Sequence, residues 1–269
     1  MPVAVVTQLW LLGHGVQGSP SPAMQNAALR ARALPWTYSI RDVPADGLDG
    51  ALAELRSGAA AGCNVTIPHK RAVAAACDSL EGDAALTGAV NTVVVRDGLL
   101  IGHNTDAEGF RLALVEQGLT PAPGSSVVVL GAGGAARAVM LAMQRCGVGS
   151  IAVMSRRRQE DIAQGSLPWD HQALRDHLST AGPTHLVNAT PVGLGDLPLD
   201  VDELPDSCTV IDLRYRYTPT DLIPTARTRG LSAADGREML LQQGMLSFQL
   251  WTGEHPPYAA ARQALDAAI

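Results

Sequence analysis

The sequence is poor in charge, and what it lacks excludes several classes of protein. Only 17% of its 269 residues are charged, and 26 acidic residues against 20 basic ones give a formal net charge of −6. An acidic chain lacks the basic footprint that binds a phosphate backbone, so we expect no nucleic-acid partner. No apolar run approaches the roughly 20 residues that span a bilayer, so we expect no membrane partner. A hydrophobic content of 46% favours a large folded core over disorder.

Cysteine is scarce and scattered. The four cysteines, Cys63, Cys77, Cys146 and Cys208, include no Cys-x-x-Cys pair. Metal sites and disulfide frameworks need tighter clustering, so we expect buried, reduced thiols and no metal. The first residues lack the basic and apolar regions of a secretory signal, which predicts a cytoplasmic location.

Lysine is almost absent. Of the 20 basic residues, only Lys70 is a lysine. GC-rich coding produces an arginine bias of this kind without any functional cause. A lysine amine, however, can be shifted towards neutrality for proton transfer, whereas arginine stays protonated. Lys70 is therefore a position to consider for catalysis.

The hydrophobic pattern alternates between strands and helices. In the second half, apolar runs at 126–130, 151–154, 185–188 and 210–213 are separated by helix-length segments. This alternation predicts a doubly wound parallel sheet. In the first half, Asp97-Gly98 between two β-rich runs is a strong hairpin signal. The proline-rich segment 120–124 marks a boundary or linker.

A glycine-rich turn follows the first of the second-half strands. Gly131-x-Gly133-x-x-Ala136, between a buried strand and a helical pattern, fits the dinucleotide fingerprint. The glycines allow a tight turn and a close approach of backbone to a pyrophosphate at the helix N-terminus. The alternative is a tight turn that binds nothing.

The next strand ends in arginines rather than in an acid. Ser155 is followed by Arg156, Arg157 and Arg158. An acid at this point would read the ribose 2′-hydroxyl of NAD, whereas arginine suits the 2′-phosphate of NADP. A solvated basic turn is the alternative interpretation.

Polar clusters follow strand ends in the first half of the chain. They occupy 19–22, 64–70, 88–92 and 104–106. Because ligands of open α/β sheets bind outside the carboxyl ends of strands, these clusters suit a small polyhydroxylated acid. Each cluster alone is an ordinary cap or turn. Their joint occurrence ahead of a dinucleotide turn favours a substrate site.

These segments together resemble the shikimate dehydrogenase family over nearly the whole chain. The most specific is Asn-Val-Thr-Ile-Pro-His-Lys at 64–70, followed by Val-Asn-Thr at 90–92 and Asn-Thr-Asp at 104–106. The resemblance implies an α/β protein with an N-terminal α/β substrate domain over 1–106 and a Rossmann-like doubly wound dinucleotide-binding domain over 107–235. It further implies that C-terminal helices over 236–269 return to the substrate domain.

The resemblance also implies an activity and a set of site residues. The activity is reversible NAD(P)-dependent hydride transfer between shikimate, or a close analogue, and its 3-dehydro ketone, a step of chorismate and aromatic amino acid biosynthesis. Lys70 and Asp106 would be the catalytic pair. The substrate residues would be Ser19 and Ser21 for the carboxylate, with Asn64, Thr66, Asn91 and Gln243 for the ring and hydroxyls. The cofactor residues would be Gly131, Ala132, Gly133, Gly134, Ala135, Ser155, Arg156, Arg157, Asn188, Ala189, Thr190 and Gly236, with Met239 near the nicotinamide.

Two departures from the family pattern leave the specificity open. The histidine before the first serine and the lysine between the two serines are replaced by Gly18 and Pro20. The usual Asn-Arg-Thr clamp on the 2′-phosphate reads Ser155-Arg156-Arg157, so NAD and NADP stand nearly even. A divergent member that acts mainly on quinate or an amino analogue is an alternative.

Rival functions are weaker. The Lys70–Asp106 pair argues against a non-catalytic dinucleotide-dependent binder, and the 64–70 segment argues against folate dehydrogenation. The expected partner is a small-molecule substrate, and a homodimer is compatible with the sequence.

Overall fold

The chain divides into two units, and the computed structural model describes its residues 7–156 and 165–269. The first unit comprises Met1–Gly109 and Leu240–Ile269, and the second Phe110–Met239. Each unit has its own sheet covered by helices, which confirms the predicted α/β fold class. The chain leaves the first unit within one helix and returns within another, whereas the sequence predicts the boundaries near the beginnings of these helices.

The first unit is built from short strands and helices in alternation. In chain order its elements are β1 Thr7–Gly13, α1 Ser21–Ala31, β2 Trp36–Asp42, α2 Leu48–Arg56, β3 Gly62–Val65, α3 Lys70–Ala76, β4 Ser79–Leu80, α4 Asp83–Thr87, β5 Thr92–Arg96, β6 Leu99–His103 and the start of α5 Asp106–Glu116. A short 3₁₀ helix spans Ala45–Gly47.

The sheet of the first unit is mixed. Its strand order is β2-β1-β3-β5-β6-β4. β1 pairs in parallel with β2 and β3, whereas β5 runs antiparallel to both β3 and β6. The β5–β6 connection is the predicted hairpin, and Asp97 and Gly98 both have positive φ, at 53° and 77°. This is the backbone that a two-residue turn between twisted strands requires.

The side chains of β1 alternate between two hydrophobic layers. Leu9 and Leu11 pack with α1 and with residues of the C-terminal segment, whereas Trp10 and Leu12 pack with α2 on the other face. Alternation of this kind follows from the two-residue period of a strand. The C-terminal segment, which carries most of α9 Arg237–Thr252 and all of α10 Tyr258–Ala268, completes the first layer.

The second unit has a fully parallel sheet. Its elements are β7 Ser126–Leu130, α6 Gly134–Arg145, β8 Ser150–Ser155, β9 Ser166–Pro168, α7 His171–Ala181, β10 His185–Asn188, β11 Thr209–Asp212, α8 Leu222–Thr228 and β12 Ala233–Asp235, with 3₁₀ turns at Leu194–Asp196 and Val201–Glu203. The strand order is β9-β8-β7-β10-β11-β12. The chain therefore builds outwards from β7 in one direction and then from β10 in the other, as in doubly wound dinucleotide-binding sheets.

The apolar run of β7 is buried on both faces. Val127 and Val129 pack in a cluster with residues of α5 and α6, and Val128 and Leu130 pack in a cluster with residues of α7 and α8. A strand covered by helices on both sides needs an unbroken apolar sequence. The apolar run at 126–130, which predicted a buried strand, is such a sequence. Within the described ranges, no helix is long and apolar enough to cross a bilayer.

Candidate active site

The predicted substrate clusters meet at one edge of the first unit's sheet. β1 and β3 are parallel and end together, with Leu12 opposite Val65. β5 is antiparallel to β3, and β6 to β5, so the beginning of β5 and the end of β6 reach the same edge. Segments 19–22, 64–70, 88–92 and 104–106 therefore emerge where ligands of α/β sheets bind.

Lys70, Asp106 and Asn91 form the centre of this edge. Lys70 Nζ donates to Asp106 Oδ2 at 2.6 Å, and Asn91 Nδ2 donates to Asp106 Oδ1 at 2.8 Å. The side chain of Lys70 is 22% exposed and that of Asp106 only 9%. An ammonium has three donors, so Lys70 can hold Asp106 and still reach a ligand.

Asn91 is held in one orientation by its neighbours. Its Oδ1 accepts from the backbone N–H of Thr105 at 2.8 Å and from the Thr92 hydroxyl at 2.9 Å. Because a backbone N–H can only donate, the oxygen must face Thr105 and the amide nitrogen must face Asp106. The Nδ2 atom also lies 3.3 Å from Oε1 of Gln243, which brings that predicted residue into the cluster.

Helix starts position the Lys70–Asp106 pair. Lys70 is the first residue of α3, and the preceding His69 is buried with Nε2 2.7 Å from the carbonyl oxygen of Val43. Asp106 is the first residue of α5, where Asn104 Oδ1 accepts the Asp106 N–H at 2.9 Å. Both side chains thus leave backbone that is fixed by hydrogen bonds.

Asn64 lies next to this cluster, and both ends of its side-chain amide are hydrogen-bonded within the protein. Its Oδ1 accepts from the Tyr38 hydroxyl at 2.8 Å. Its Nδ2 lies 3.0 Å from Ser247 Oγ and 3.2 Å from Thr92 Oγ1. Asn64 is buried, and these contacts suit a residue that holds its neighbours in place.

Sequence reasoning missed Ser247 and Tyr38. Ser247 is fully buried, and its hydroxyl also lies 2.7 Å from Thr92 Oγ1. It comes from α9, 183 residues after Asn64, so no local motif could connect them. The available signal was its helical spacing from Gln243, one turn earlier on α9. Burial raises the pKa of Tyr38, so its hydroxyl remains a proton donor.

A missing side chain lets α9 come close to Asp106. A Cβ on Gly109, in the first turn of α5, would lie 2.6 Å from Cβ of Gln243. Any larger residue would push α9 away. The glycine therefore brings Gln243 within reach of Asn91.

The two predicted serines stand at the beginning of α1. Ser19 Oγ donates to Ser21 Oγ at 3.1 Å, and Ser21 is the first residue of this 11-residue helix. Two hydroxyls at a helix N-terminus suit a carboxylate. The same loop is tied to the 64–70 segment, because the His14 N–H donates to the carbonyl oxygen of Ile67 at 3.1 Å. Thr66, next to Ile67, is partly exposed at this edge.

The glycine turn of the second unit lies at the switch point between β7 and β10. Gly131 has a φ of 109°, and a Cβ there would lie 3.0 Å from Cγ2 of Thr190. Gly133 precedes α6, a helix of 12 residues, and has open space where a Cβ would stand. Gly133 also has no side chain to cap the first amide groups of α6. These features fit the pyrophosphate of a dinucleotide.

A cavity of about 210 Å³ opens beside this turn. Predicted cofactor residues that line it are Gly131, Ala132, Gly133, Ser155, Arg156, Ala189 and Thr190, and two unpredicted residues, Trp169 and Pro191, line it as well. Gly134 and Ala135 form the beginning of α6. Gly236 follows β12 and Met239 lies in α9, and neither lines this cavity.

Arg156 directly follows β8 and is exposed. Its guanidinium carbon lies 5.9 Å from the ring centroid of Trp169, close enough for a cation–π contact. Trp169 packs against the hydrophobic core of this unit, so the ring that Arg156 contacts is held in place. Arg157, also predicted to contact the cofactor, lies outside the described residues.

All four cysteines are free, and Cys63 and Cys208 are buried. Burial raises the pKa of Cys208 to about 12 and that of Cys63 further still. Across residues 7–156 and 165–269, no group of three or more His, Cys, Asp or Glu side chains could hold a metal ion.

Comparison with known proteins gives matches along the chain. The family model of the shikimate dehydrogenase substrate binding domain matches residues 11–93, and that of the shikimate 5′-dehydrogenase C-terminal domain matches residues 236–265. A curated protein of Symbiobacterium thermophilum, named shikimate dehydrogenase (NADP(+)), is 42% identical over 97% of this chain and 94% of its own length.

Solved structures are similar over the same extent. Shikimate 5-dehydrogenase from Thermus thermophilus, in complex with NADP(H) and shikimate, is 37% identical with a TM-score of 0.86, over 98% of this chain and 100% of that one. Quinate dehydrogenase from Corynebacterium glutamicum, in complex with NAD, is 32% identical with a TM-score of 0.86, over 97% of this chain and 99% of that one.

Proposed function

Because the chain belongs to the shikimate dehydrogenase family, we propose that it catalyses the reversible oxidation of shikimate to its 3-dehydro ketone with NADP. The observation that carries this proposal is the Lys70–Asp106–Asn91 cluster at the carboxyl edge of the first unit's sheet. A basic amine paired with a carboxylate is what an alcohol needs when it loses its proton as hydride leaves the same carbon.

The proton of the substrate hydroxyl passes to the Lys70–Asp106 pair. In the reductive direction the Lys70 ammonium donates a proton to the ketone oxygen, while Asp106, fixed by Asn91, keeps the ammonium in place. The nicotinamide, when bound, accepts or supplies the hydride.

Ser19 and Ser21 bind the substrate carboxylate, and Thr66, Asn91 and Gln243 orient the ring and its hydroxyls. Supporting this assignment are the helix N-terminus at Ser21 and the contact between Asn91 and Gln243. Asn64 acts beneath them, because its amide already has partners within the protein.

NADP is the proposed cofactor. Gly131 and the first turn of α6 would hold the phosphates, and Arg156 would bind the 2′-phosphate. Supporting this choice is the position of Arg156 directly after β8, where dinucleotide-binding sheets read the ribose 2′-substituent. Trp169 holds the guanidinium in place and reduces the rotamer entropy that Arg156 loses on binding.

Initial rates with shikimate and quinate, each with NADP and NAD, test the proposal. We expect shikimate with NADP to give the highest kcat/KM, and the Lys70→Met variant to lose activity with all four pairs. That variant controls for a contaminating dehydrogenase. A higher kcat/KM for quinate would contradict the proposed substrate and assign a function to Gly18 and Pro20, and a higher kcat/KM with NAD would contradict the proposed cofactor.

A further inference from the structure

A triad of charged side chains, largely buried, lies in the second unit beside the loop of residues 189–194. Arg214 bridges two carboxylates, with Nη2 2.6 Å from Asp212 Oδ2 and 2.7 Å from Asp221 Oδ1. The side chain of Arg214 is 18% exposed, that of Asp221 10%, and that of Asp212 is fully buried. None of the three lines the cavity beside Gly131.

Asp212 connects the triad to the beginning of the 189–194 loop. Asn188 Nδ2 donates to Asp212 Oδ1 at 3.1 Å. The other end of the same amide, Asn188 Oδ1, accepts from the N–H of Thr190 at 3.0 Å and from its hydroxyl at 2.6 Å. Thr190 is the residue that stands against Gly131, so the contacts run from Arg214 to the glycine turn.

Asp221 holds the end of the same loop. Its Oδ1 accepts from the N–H of Leu194 at 2.8 Å and from the N–H of Leu222, the first residue of α8, at 2.9 Å. At Gly193 a Cβ would lie 3.2 Å from Arg214 Nη1 and from both Asp221 carboxylate oxygens. The loop is therefore fixed at both ends by side chains that Arg214 joins.

Stability alone is a poor explanation for this arrangement. Bringing three charges out of water costs free energy, and well-packed apolar side chains of the same volume often stabilise a fold as well or better. What the charged groups add is directional hydrogen bonding, because Asp221 fixes the N–H of Leu194 and Asp212 fixes Asn188, which in turn holds Thr190.

We propose that Arg214 and Asp221 are positioning residues for the dinucleotide. They hold the 189–194 loop so that Thr190 stays beside the glycine turn and the cavity keeps its shape. This inference rests on the proposed use of that cavity by NADP. It assigns a role to two residues that no sequence motif marked.

The test measures cofactor binding without turnover. Dissociation constants for NADP⁺ and NAD⁺ are determined by calorimetry for the full-length protein, for Arg214→Gln and for Asp221→Asn. Arg229→Gln serves as the matched control, because Arg229 belongs to the same unit and pairs instead with Asp206, at 3.2 Å. Urea unfolding of each variant shows that the measured protein is folded.

We expect Arg214→Gln to weaken NADP⁺ binding by about tenfold, because it breaks the bridge between the two carboxylates. Arg214→Lys should recover part of the loss. The KM for NADP should rise with the dissociation constant, whereas the KM for shikimate should change less than twofold. Arg229→Gln should leave NADP⁺ binding within twofold of the wild type.

Several results would overturn the inference. One is a folded Arg214→Gln protein that binds NADP⁺ as tightly as the wild type; if that variant does not fold, the milder Asp221→Asn decides by the same criterion. Equal losses in Arg229→Gln would show a general effect of stability. Failure of the wild type to bind either dinucleotide would refute the proposed cofactor and this inference together. Absence of shikimate turnover with intact NADP⁺ binding would contradict only the proposed substrate.

Discussion

Replacing Lys70 with methionine tests the centre of the proposed active site. Methionine keeps the length and apolar stem of lysine but removes the amine that lies 2.6 Å from Asp106. The variant should therefore lose proton transfer while it keeps most of the packing at the beginning of α3. Binding of NADP⁺ should stay within twofold of the wild type, because the proposed cofactor residues belong to the other unit.

The size of the loss follows from the role of the amine. A positioned general acid or base contributes about 10²–10⁴-fold. This corresponds to about 3–5 kcal/mol of transition-state stabilisation. Removing the amine also strands the Asp106 carboxylate, which is 9% exposed and keeps Asn91 as a side-chain partner at 2.8 Å. Since the Lys70 side chain is 22% exposed, water can replace part of the lost interaction with Asp106. We therefore expect the free energy of unfolding to fall by about 1–3 kcal/mol, which is less than the loss from breaking a fully buried ion pair.

Two measurements separate these effects. Steady-state rates of NADPH formation give kcat, and urea unfolding gives the free energy of unfolding. The double variant Lys70→Met/Asp106→Asn removes the stranded charge, so it should recover stability without recovering kcat. Lys70→Arg should be nearly as inactive, because arginine does not give up its proton. A folded Lys70→Met protein with kcat within tenfold of the wild type would refute the reasoning.

Three further predictions concern the supporting structure. Ser247→Ala should lower kcat/KM for shikimate about five- to tenfold, because the Ser247 hydroxyl lies 3.0 Å from the Asn64 amide and holds it in place. The control Ser179→Ala, on the exposed face of α7, should have no effect. Equal kcat/KM values for the wild type and both variants would remove Ser247 from the site. Cys63 and Cys208 should not react with a thiol reagent in the folded protein at pH 7, since burial raises their pKa, and should react once urea unfolds the chain; rapid modification without unfolding would contradict their burial. Hydrogen bonds from Arg214 are the main reason that the pKa of Asp221 is lowered to about 2. The Asp221 carboxylate therefore stabilises the fold fully above its unfolded pKa near 4, and this stabilisation is lost as the pH falls through about 2. Asp221→Asn should accordingly be about 2 kcal/mol less stable than the wild type at pH 7 by urea unfolding, and a difference that persists below pH 2 would contradict this origin.

Local patterns predicted most of the fold. The unbroken apolar run of β7 predicted a strand buried on both faces, and Asp97-Gly98 predicted the hairpin that β5 and β6 form. Short elements such as β4 at Ser79–Leu80 and β12 at Ala233–Asp235 have no periodicity of their own. They are strands because a neighbouring strand offers hydrogen bonds, and that information is not local.

The candidate site divides in the same way. Motifs identified Lys70, Asp106, Asn91 and the glycine turn, because the chemistry of each is carried by residue type and short spacing. Their roles remain predictions for the experiments above. Arg156 was predicted from its place after a strand. Its cation–π contact with Trp169 was not predicted, because only folding brings the two residues together.

The sequence by itself determined the fold class, the family and the residue types available for chemistry, since these depend on periodicity and on motifs a few residues long. Only the tertiary structure decided which partners surround each group. Ser247 reaches Asn64 from α9, 183 residues away in the chain, and Asp221 joins Arg214 and the 189–194 loop without any motif. The physical reason is that hydrogen bonds and ion pairs act over about 3 Å in space, whereas a sequence records only distance along the chain.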